Sequence, residues 1–388
     1  MRAPLLTVSL GIALFAFNEF LVSTALPNAV RDIGGVALMS GAVSIYLLPS
    51  IASGVCAASL KRRVGTRALL LLAGLVFLAG TLVAAFAGSM PVLLAGRAMQ
   101  GTGDGIIAAL CYSLIPALFP PELISRVFGV EAIVWALAAF GGPLLSGWAT
   151  QLISWRAAFL LNLPLIAGFL VLVPRVAPKA ALSEPRSGGP RLRHSRRLLR
   201  IYWAVLLMPL AQAVSAVYLV LALQHLWDLR PGFAGGIASL MALSWSGSAL
   251  LVAPFARWRQ NLARFAPLLN VVGLSGLTIA IGAHWLILAV ASQITVGVGF
   301  GLSWAPLSQN AMDAASETDR EQATALLPMV QSAGYAIGAT VAGLIVNEAG
   351  LPQALQAGHS IAPPLCVAYA AAALIALAGA LPGLIREG

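Results

Sequence analysis

Apolar runs of about 20 residues or more recur along this chain, each ended by a short polar interruption. A helix rising about 1.5 Å per residue needs about 20 residues to cross a hydrocarbon layer roughly 30 Å thick. Cutting at charge clusters and Pro/Gly turns gives spans over residues 5–27, 37–60, 68–88, 91–118, 126–150 and 156–174. A second series follows over 201–227, 232–256, 265–283, 285–308, 322–347 and 361–385, making twelve spans in two sets of six. Of the 388 residues 60% are hydrophobic and 9% charged, more apolar surface than a water-soluble fold can cover. The runs are rich in Gly, Ala and Leu, as packed membrane helices are and alternating barrel strands are not. The expected fold is an all-α integral membrane protein of 12 transmembrane helices in two six-helix bundles. Glu19 interrupts the first run and more spans follow, so that run reads as an uncleaved first helix, not a signal peptide.

Residues 175–200 form the longest polar interval, with the Pro, Gly, Ser and Arg content of a flexible linker. They divide the chain into a bundle over 1–174, a basic linker, and a bundle over 201–388. The basic residues also orient the chain. One set of loops carries Lys61, Arg62, Arg63 and Arg67, then Arg126, then Arg257, Arg259 and Arg264, then Arg320, with Arg2 and Arg386 at the termini. The opposite loops carry only Arg31, Arg156 and Arg230. The positive-inside rule then places both termini and the linker in the cytoplasm. The formal net charge of +10 is explained by topology, with no nucleic-acid partner required. Cys56, Cys111 and Cys366 all lie in apolar segments with no paired spacing, which argues against a disulfide framework or a metal site.

Four ionisable residues fall inside spans, all in the first half: Glu19, Arg97, Asp104 and Glu131. Buried charge in lipid costs about 3 kcal/mol or more per residue, so such positions mark ion or substrate pathways. Arg97, Gln100 and Asp104 share one helix face, with Arg97 and Asp104 about 10 Å apart along the axis, too far for a direct salt bridge. Glu131 lies nearer the end of its span, where it can snorkel to the interface. The second half offers Gln212, Tyr218, Trp245, Trp304, Gln331 and Tyr335 as lining for an apolar cavity with a few polar contacts. Aromatic faces there suit an organic cation. Packing or an interfacial belt is the competing account for each of them.

Several motifs point to a family. In span four, LLAGRAMQGTGDG (93–105) resembles the Arg-x-x-Gln-Gly-x-Gly motif of the major facilitator superfamily, with Arg97, Gln100, Gly101 and Gly103 in its positions. In span five, GVEAIVWALAAFGGPLLSG (129–147) resembles the Gly-Pro motif of that superfamily's drug:proton antiporters, through Gly129, Gly141, Gly142, Pro143 and Gly147. SWRAAFLLNLP (154–164) and NEFLVSTALPNAVRDIG (18–34) are similar to further patterns of those antiporters. GVGFGLSWAP (297–306) and ALLPMVQSAGYAIGATVAG (325–343) resemble spans ten and eleven more loosely. One loop departs. ASLKRRVGTR (58–67) keeps Leu60, Arg63 and Gly65 but has Arg62 where the family has an Asp associated with latching the outward-open state.

The resemblance implies a secondary transporter without enzymatic chemistry, working by alternating access on a small-molecule substrate. It further implies a multi-pass monomer in a bacterial inner membrane, driven by a proton gradient with no cofactor. Glu19 and Asp104 are the expected proton and cation sites, Arg97 modulates them, and Glu131 is a further acid. Asn18 and Gln100 extend the substrate contacts. Arg62, Arg63, Gly65, Arg97, Gly101, Gly141, Gly142, Pro143 and Gly147 belong to the conformational motifs. A carboxyl alternating between a low-dielectric setting and one near arginine can load and release a proton. The competing account is an Arg–Gln–acid network that ties spans one, four and five together. Gly101 and Gly105 read as a small-xxx-small packing pair rather than a phosphate loop.

Efflux by proton antiport is the leading function, an uptake symporter or facilitator the second. A remote alternative is an intramembrane serine protease, from Gly273-Leu274-Ser275-Gly276 with His284. Ser275 and His284 lie about 13 Å apart along one helix, out of hydrogen-bond reach.

Overall fold

The computed structural model of the protein describes residues 2–176, 196–252, 259–315 and 320–384. Most of the expected linker (177–195), Arg257 and Arg386 lie outside the described residues. In chain order the helices are α1 (Arg2–Ile33), α2 (Gly41–Val64), α3 (Thr66–Ala85), α4 (Met90–Leu118), α5 (Pro121–Leu152), α6 (Trp155–Leu160) and α7 (Leu163–Val176). Then come α8 (Arg196–Leu226), α9 (Pro231–Val252), α10 (Arg259–Phe265), α11 (Pro267–Gly282), α12 (Leu286–Ala314), α13 (Arg320–Glu348), α14 (Leu351–Ala357) and α15 (Ala362–Leu384). Among the described residues, 12 helical spans are long and apolar enough to cross a membrane. The pairs α6–α7 and α10–α11 each make one span, and α14 makes none.

The helices overrun the expected spans where charge ended the sequence reading. Thus α1 continues through Arg31 and Asp32, and α8 begins at Arg196. A helix does not stop where hydrocarbon stops; its polar turns extend into the interfacial layer. The short α14 has no counterpart in the sequence reading.

The chain divides into two compact units, Met1–Pro185 with Arg230–Gly236, and Arg186–Leu229 with Ile237–Gly388. In the first, α4 packs on α2 and α3 while α1 packs on α4, α5 and α7. Apolar side chains give no net drive toward one another in lipid, so close backbone approach at small residues has to position these helices. Two stripes of glycine on α4 provide it. A Cβ on Gly101 would run into the carbonyl oxygen of Tyr46, and one on Gly105 into that of Ser50, so this stripe seats α2. A Cβ on Gly103 would meet the Ala73 carbonyl, and one on Gly96 would come within 2.6 Å of the Ala84 nitrogen, so the other stripe seats α3. GTGDG is therefore a packing element, in the middle of a continuous helix. Ile12, Leu70, Phe77, Ile107, Leu110, Ile166 and Phe169 fill the buried centre of this unit. Leu72, Leu75 and Leu82 point outward and are exposed.

Between α2 and α3 the chain turns at Gly65, whose φ of 84° and ψ of 157° leave no room for a side chain. Its N–H is bonded to the Lys61 carbonyl oxygen at 2.9 Å. At the opposite end of the unit two of the family-like motifs meet. Ser154 caps α6 by accepting from the Arg156 N–H at 3.0 Å. Arg156 and Trp155 then reach Asp32 at 2.6 and 3.0 Å.

In the second unit α8 packs on α13 and α15, and α11 packs on α12 and α15. The glycine device recurs. Cβ atoms on Gly297 and Gly301 of α12 would strike the carbonyls of Met241 and Trp245 of α9. The fourth span thus sits on the second in one unit as the tenth sits on the eighth in the other, by the same four-residue step. Gly334 and Gly338 of α13 face the carbonyls of Leu206 and Leu210 of α8 in the same way. Gly273 and Gly276 of α11 back against Ser292 and Val296 of α12, so the Gly-Leu-Ser-Gly element serves helix packing.

Candidate functional site

Arg97 is 1% exposed in the middle of the first unit. Its Nε donates to the Ala42 carbonyl at 3.0 Å, and its Nη1 donates to Asn18 Oδ1 at 3.2 Å and Gln100 Oε1 at 2.9 Å. Its guanidinium carbon lies 4.1 Å from the centroid of the Tyr46 ring. Gln100 passes the connection on, donating to Thr81 Oγ1 at 3.0 Å. Asn18 Oδ1 also accepts from Asn162 at 3.2 Å. One arginine thus connects α1, α2, α3 and α4 with the α6–α7 turn. The seven-residue step from Arg97 to Asp104 puts the acid two turns further along the same face, with Gly101 between them. The notch at Gly101 admits the α2 backbone at Tyr46, and this is why the Tyr46 side chain reaches both residues.

Asp104 is fully buried. Its Oδ2 accepts from the Tyr46 hydroxyl at 2.5 Å, while its Oδ1 has no hydrogen-bond partner. No ion pair joins it to Arg97 among the described residues, as the spacing implied. Glu19, next to Asn18 on α1, is only partly buried. It makes no hydrogen bond to a described residue and is acted on through space by Arg97. Three ionisable groups and one tyrosine thus converge on the α1–α2–α4 junction.

Glu131 stands apart. It is 2% exposed, so it does not snorkel to the interface; α1 covers it. Its Oε1 accepts from Ser9 Oγ at 2.7 Å, and its buried Oε2 is unpaired. The expected network through spans one, four and five is therefore corrected: span five takes no part, and spans two and three do. One turn from Glu131, the Trp135 indole donates to the Tyr112 hydroxyl at 3.0 Å and packs edge-on against Phe15 at 5.7 Å.

The motif glycines divide. Gly142 meets α1 closely, its Cβ position 2.7 Å from Phe20 Cβ, whereas Gly141 has only ordinary contacts. The helix α5 runs through Pro143 and Gly147 to Leu152. Arg62 and Arg63 are exposed at the end of α2, beside the Gly65 turn.

In the second unit Gln212 is buried, donating to Met241 Sδ at 3.0 Å and keeping Oε1 unpaired. Tyr218 is fully buried. Trp245 is partly exposed with its ring 5.0 Å from that of Phe300. Trp304, Gln331 and Tyr335 are partly exposed.

Sequence reasoning missed Tyr46, Thr81, Asn162 and Ser9. Tyr46 had a signal, as the one tyrosine in an otherwise apolar span. Thr81 and Ser9 had none, because hydroxyls are common in membrane helices and usually bond their own backbone.

The Major Facilitator Superfamily family model matches residues 8–339. A probable multidrug-efflux transporter of Mycobacterium tuberculosis is 28% identical over 414 residues, covering 87% of this chain and 86% of that protein. The Bacillus subtilis multidrug transporter protein MdtP is 31% identical over 165 residues, 42% of this chain and 30% of that one. Among solved structures, a bacterial homologue of the human lysosomal transporter Spinster superposes with a TM-score of 0.77 at 14% identity, covering 98% of this chain and 95% of that chain. A D-xylose-proton symporter gives 0.72 at 18% identity, covering 96% and 97%. The chain belongs to the Major Facilitator Superfamily. It is a multi-pass membrane transporter and not an enzyme, which removes the protease reading.

Proposed function

We propose that the protein exports small amphipathic compounds, cationic ones among them, in exchange for protons across a bacterial inner membrane, with both termini cytoplasmic. The observation that carries the proposal is Asp104: fully buried, without an ion pair, held by one neutral donor and keeping an unpaired carboxyl oxygen. An acid in that setting alternates readily between neutral and charged forms as its surroundings change. Glu19, less buried and without a hydrogen bond, is the second exchanging carboxyl, and Arg97 supplies the fixed positive charge between them. Glu131 is a third acid outside this network. Asn18 borders the site on α1; Gln212, Trp245, Trp304, Gln331 and Tyr335 are the second unit's own candidate substrate contacts. Gln100 is occupied at both ends by Arg97 and Thr81, so its part is to hold the arginine.

The efflux relatives favour export over uptake. Symport keeps a place as the second reading, because the fold it shares with a sugar-proton symporter does not choose a direction. The test is transport in reconstituted vesicles, with an acidic interior and ethidium as the first probe of a panel of organic cations and neutral drugs. Antiport gives proton efflux driven by substrate entry, lost in Asp104→Asn and weakened in Glu19→Gln. Proton and substrate moving in the same direction sink the antiport claim.

A further inference from the structure

Tyr46 touches both members of the charged pair and nothing in the motifs assigns it a task. Its hydroxyl donates to Asp104 at 2.5 Å while the guanidinium of Arg97 rests on its ring at 4.1 Å. It is 1% exposed, and the close contact of its backbone with Gly101 fixes where the ring lies. The charged and titratable groups facing it are Arg97 and Asp104 from α4 and Glu19 from α1. The other helix against α2, α3, carries only Arg67, by the distant Gly65 turn.

We propose that Tyr46 is a positioning residue that sets the proton affinity of Asp104. A hydroxyl pointed at a carboxylate stabilises the charged form, and an aromatic face holds a guanidinium without neutralising it. One neutral hydrogen bond thus favours proton release from Asp104 without locking the carboxylate as an ion pair would. No bond is made or broken at Tyr46 itself; it donates one hydrogen bond throughout. The inference rests on reading Asp104 as the proton carrier.

The test is independent of transport. Infrared difference spectra of the purified protein in lipid, recorded across a pH titration, show the carbonyl band of a protonated carboxyl; the component lost in Asp104→Asn belongs to Asp104. Tyr46→Phe keeps the ring and removes the donor, so that band persists to higher pH, its midpoint raised by about one unit. A ring-fluorinated tyrosine placed at position 46 is a stronger donor of nearly the same shape and lowers the midpoint. A purely structural role predicts no such pair of opposite displacements. An unmoved midpoint in Tyr46→Phe, or displacement in the same direction by both, overturns the proposal. If Asp104→Asn abolishes proton-coupled transport while both Tyr46 variants titrate like the wild type, Tyr46 is rejected and the transport reading stands. If no Asp104 component titrates at all, both fall.

Discussion

Arg97 shows how a cation is held inside a membrane domain without an anion bonded to it. Its planar fork finds a backbone carbonyl, two amide oxygens and an aromatic face, all neutral and all buried. A lysine has the charge but not the fork. Arg97→Lys is therefore expected to lose at least one of the bonds to Ala42, Asn18 and Gln100, lowering the thermal midpoint of the purified protein and impairing transport. Thr81 separates holding from chemistry. It accepts from Gln100 at 3.0 Å and touches no ionisable side chain. Thr81→Val orphans one buried amide donor, at a cost of roughly 1–3 kcal/mol. Its melting temperature should fall while the pH dependence of transport is kept. A changed pH dependence would mean that the tie also tunes the acids. Glu131, bonded to Ser9 alone, makes a third case. Glu131→Gln should leave the midpoint of the Asp104 carboxyl band unmoved, because the two acids share no hydrogen-bond partner.

At the scale of the element, glycine spacing on the helices decides which residues meet. Gly101 and Gly105 let α2 approach α4, and that approach delivers Tyr46 to the charged face. A methyl at position 101 would collide with a backbone oxygen, which cannot swing aside as a side chain does. Gly101→Ala should lower stability by about 1–3 kcal/mol and Gly101→Val should reduce folded yield further. The same change at Gly129, with nothing within 4 Å, should be neutral or stabilising by about 0.5–1 kcal/mol. Unfolding curves for the pair give the comparison. The sequence already carried this much: the spans, the packing role of GTGDG, and the shared face of Arg97, Gln100 and Asp104 all follow from period and composition. Tyr46 did not follow, because its role depends on the register of α2 against α4, and a long apolar helix has many nearly equal registers until its glycines are matched. Glu131 was misjudged for a related reason. Its position along α5 implied the interface, but the face it lies on, toward Ser9 of α1, was not readable from one helix alone.

For the whole molecule, the repeated glycine step shows one packing rule used in both units, while the charges do not repeat. The membrane acids and Arg97 lie in the first unit; the second carries amides and aromatic rings. That asymmetry supports the proposal that the first unit handles the proton. Orientation in the membrane is a separate question, and the chain marks the two ends of the first unit differently. One end has exposed Arg62, Arg63 and Arg126. The other has Asp32 paired to Arg156 at 2.6 Å, beside the turn that holds Ala87 and Gly88. That pair is largely solvated and screened, so it identifies an end without fixing the fold. Lys and Arg excess near the membrane predicts the arginine end inside. The three native cysteines can be replaced by serine and single cysteines introduced as Gly88→Cys and Arg63→Cys. A membrane-impermeant maleimide applied to intact cells should label the first and spare the second until the membrane is opened. The reverse pattern would place the arginine end outside and overturn the proposed orientation.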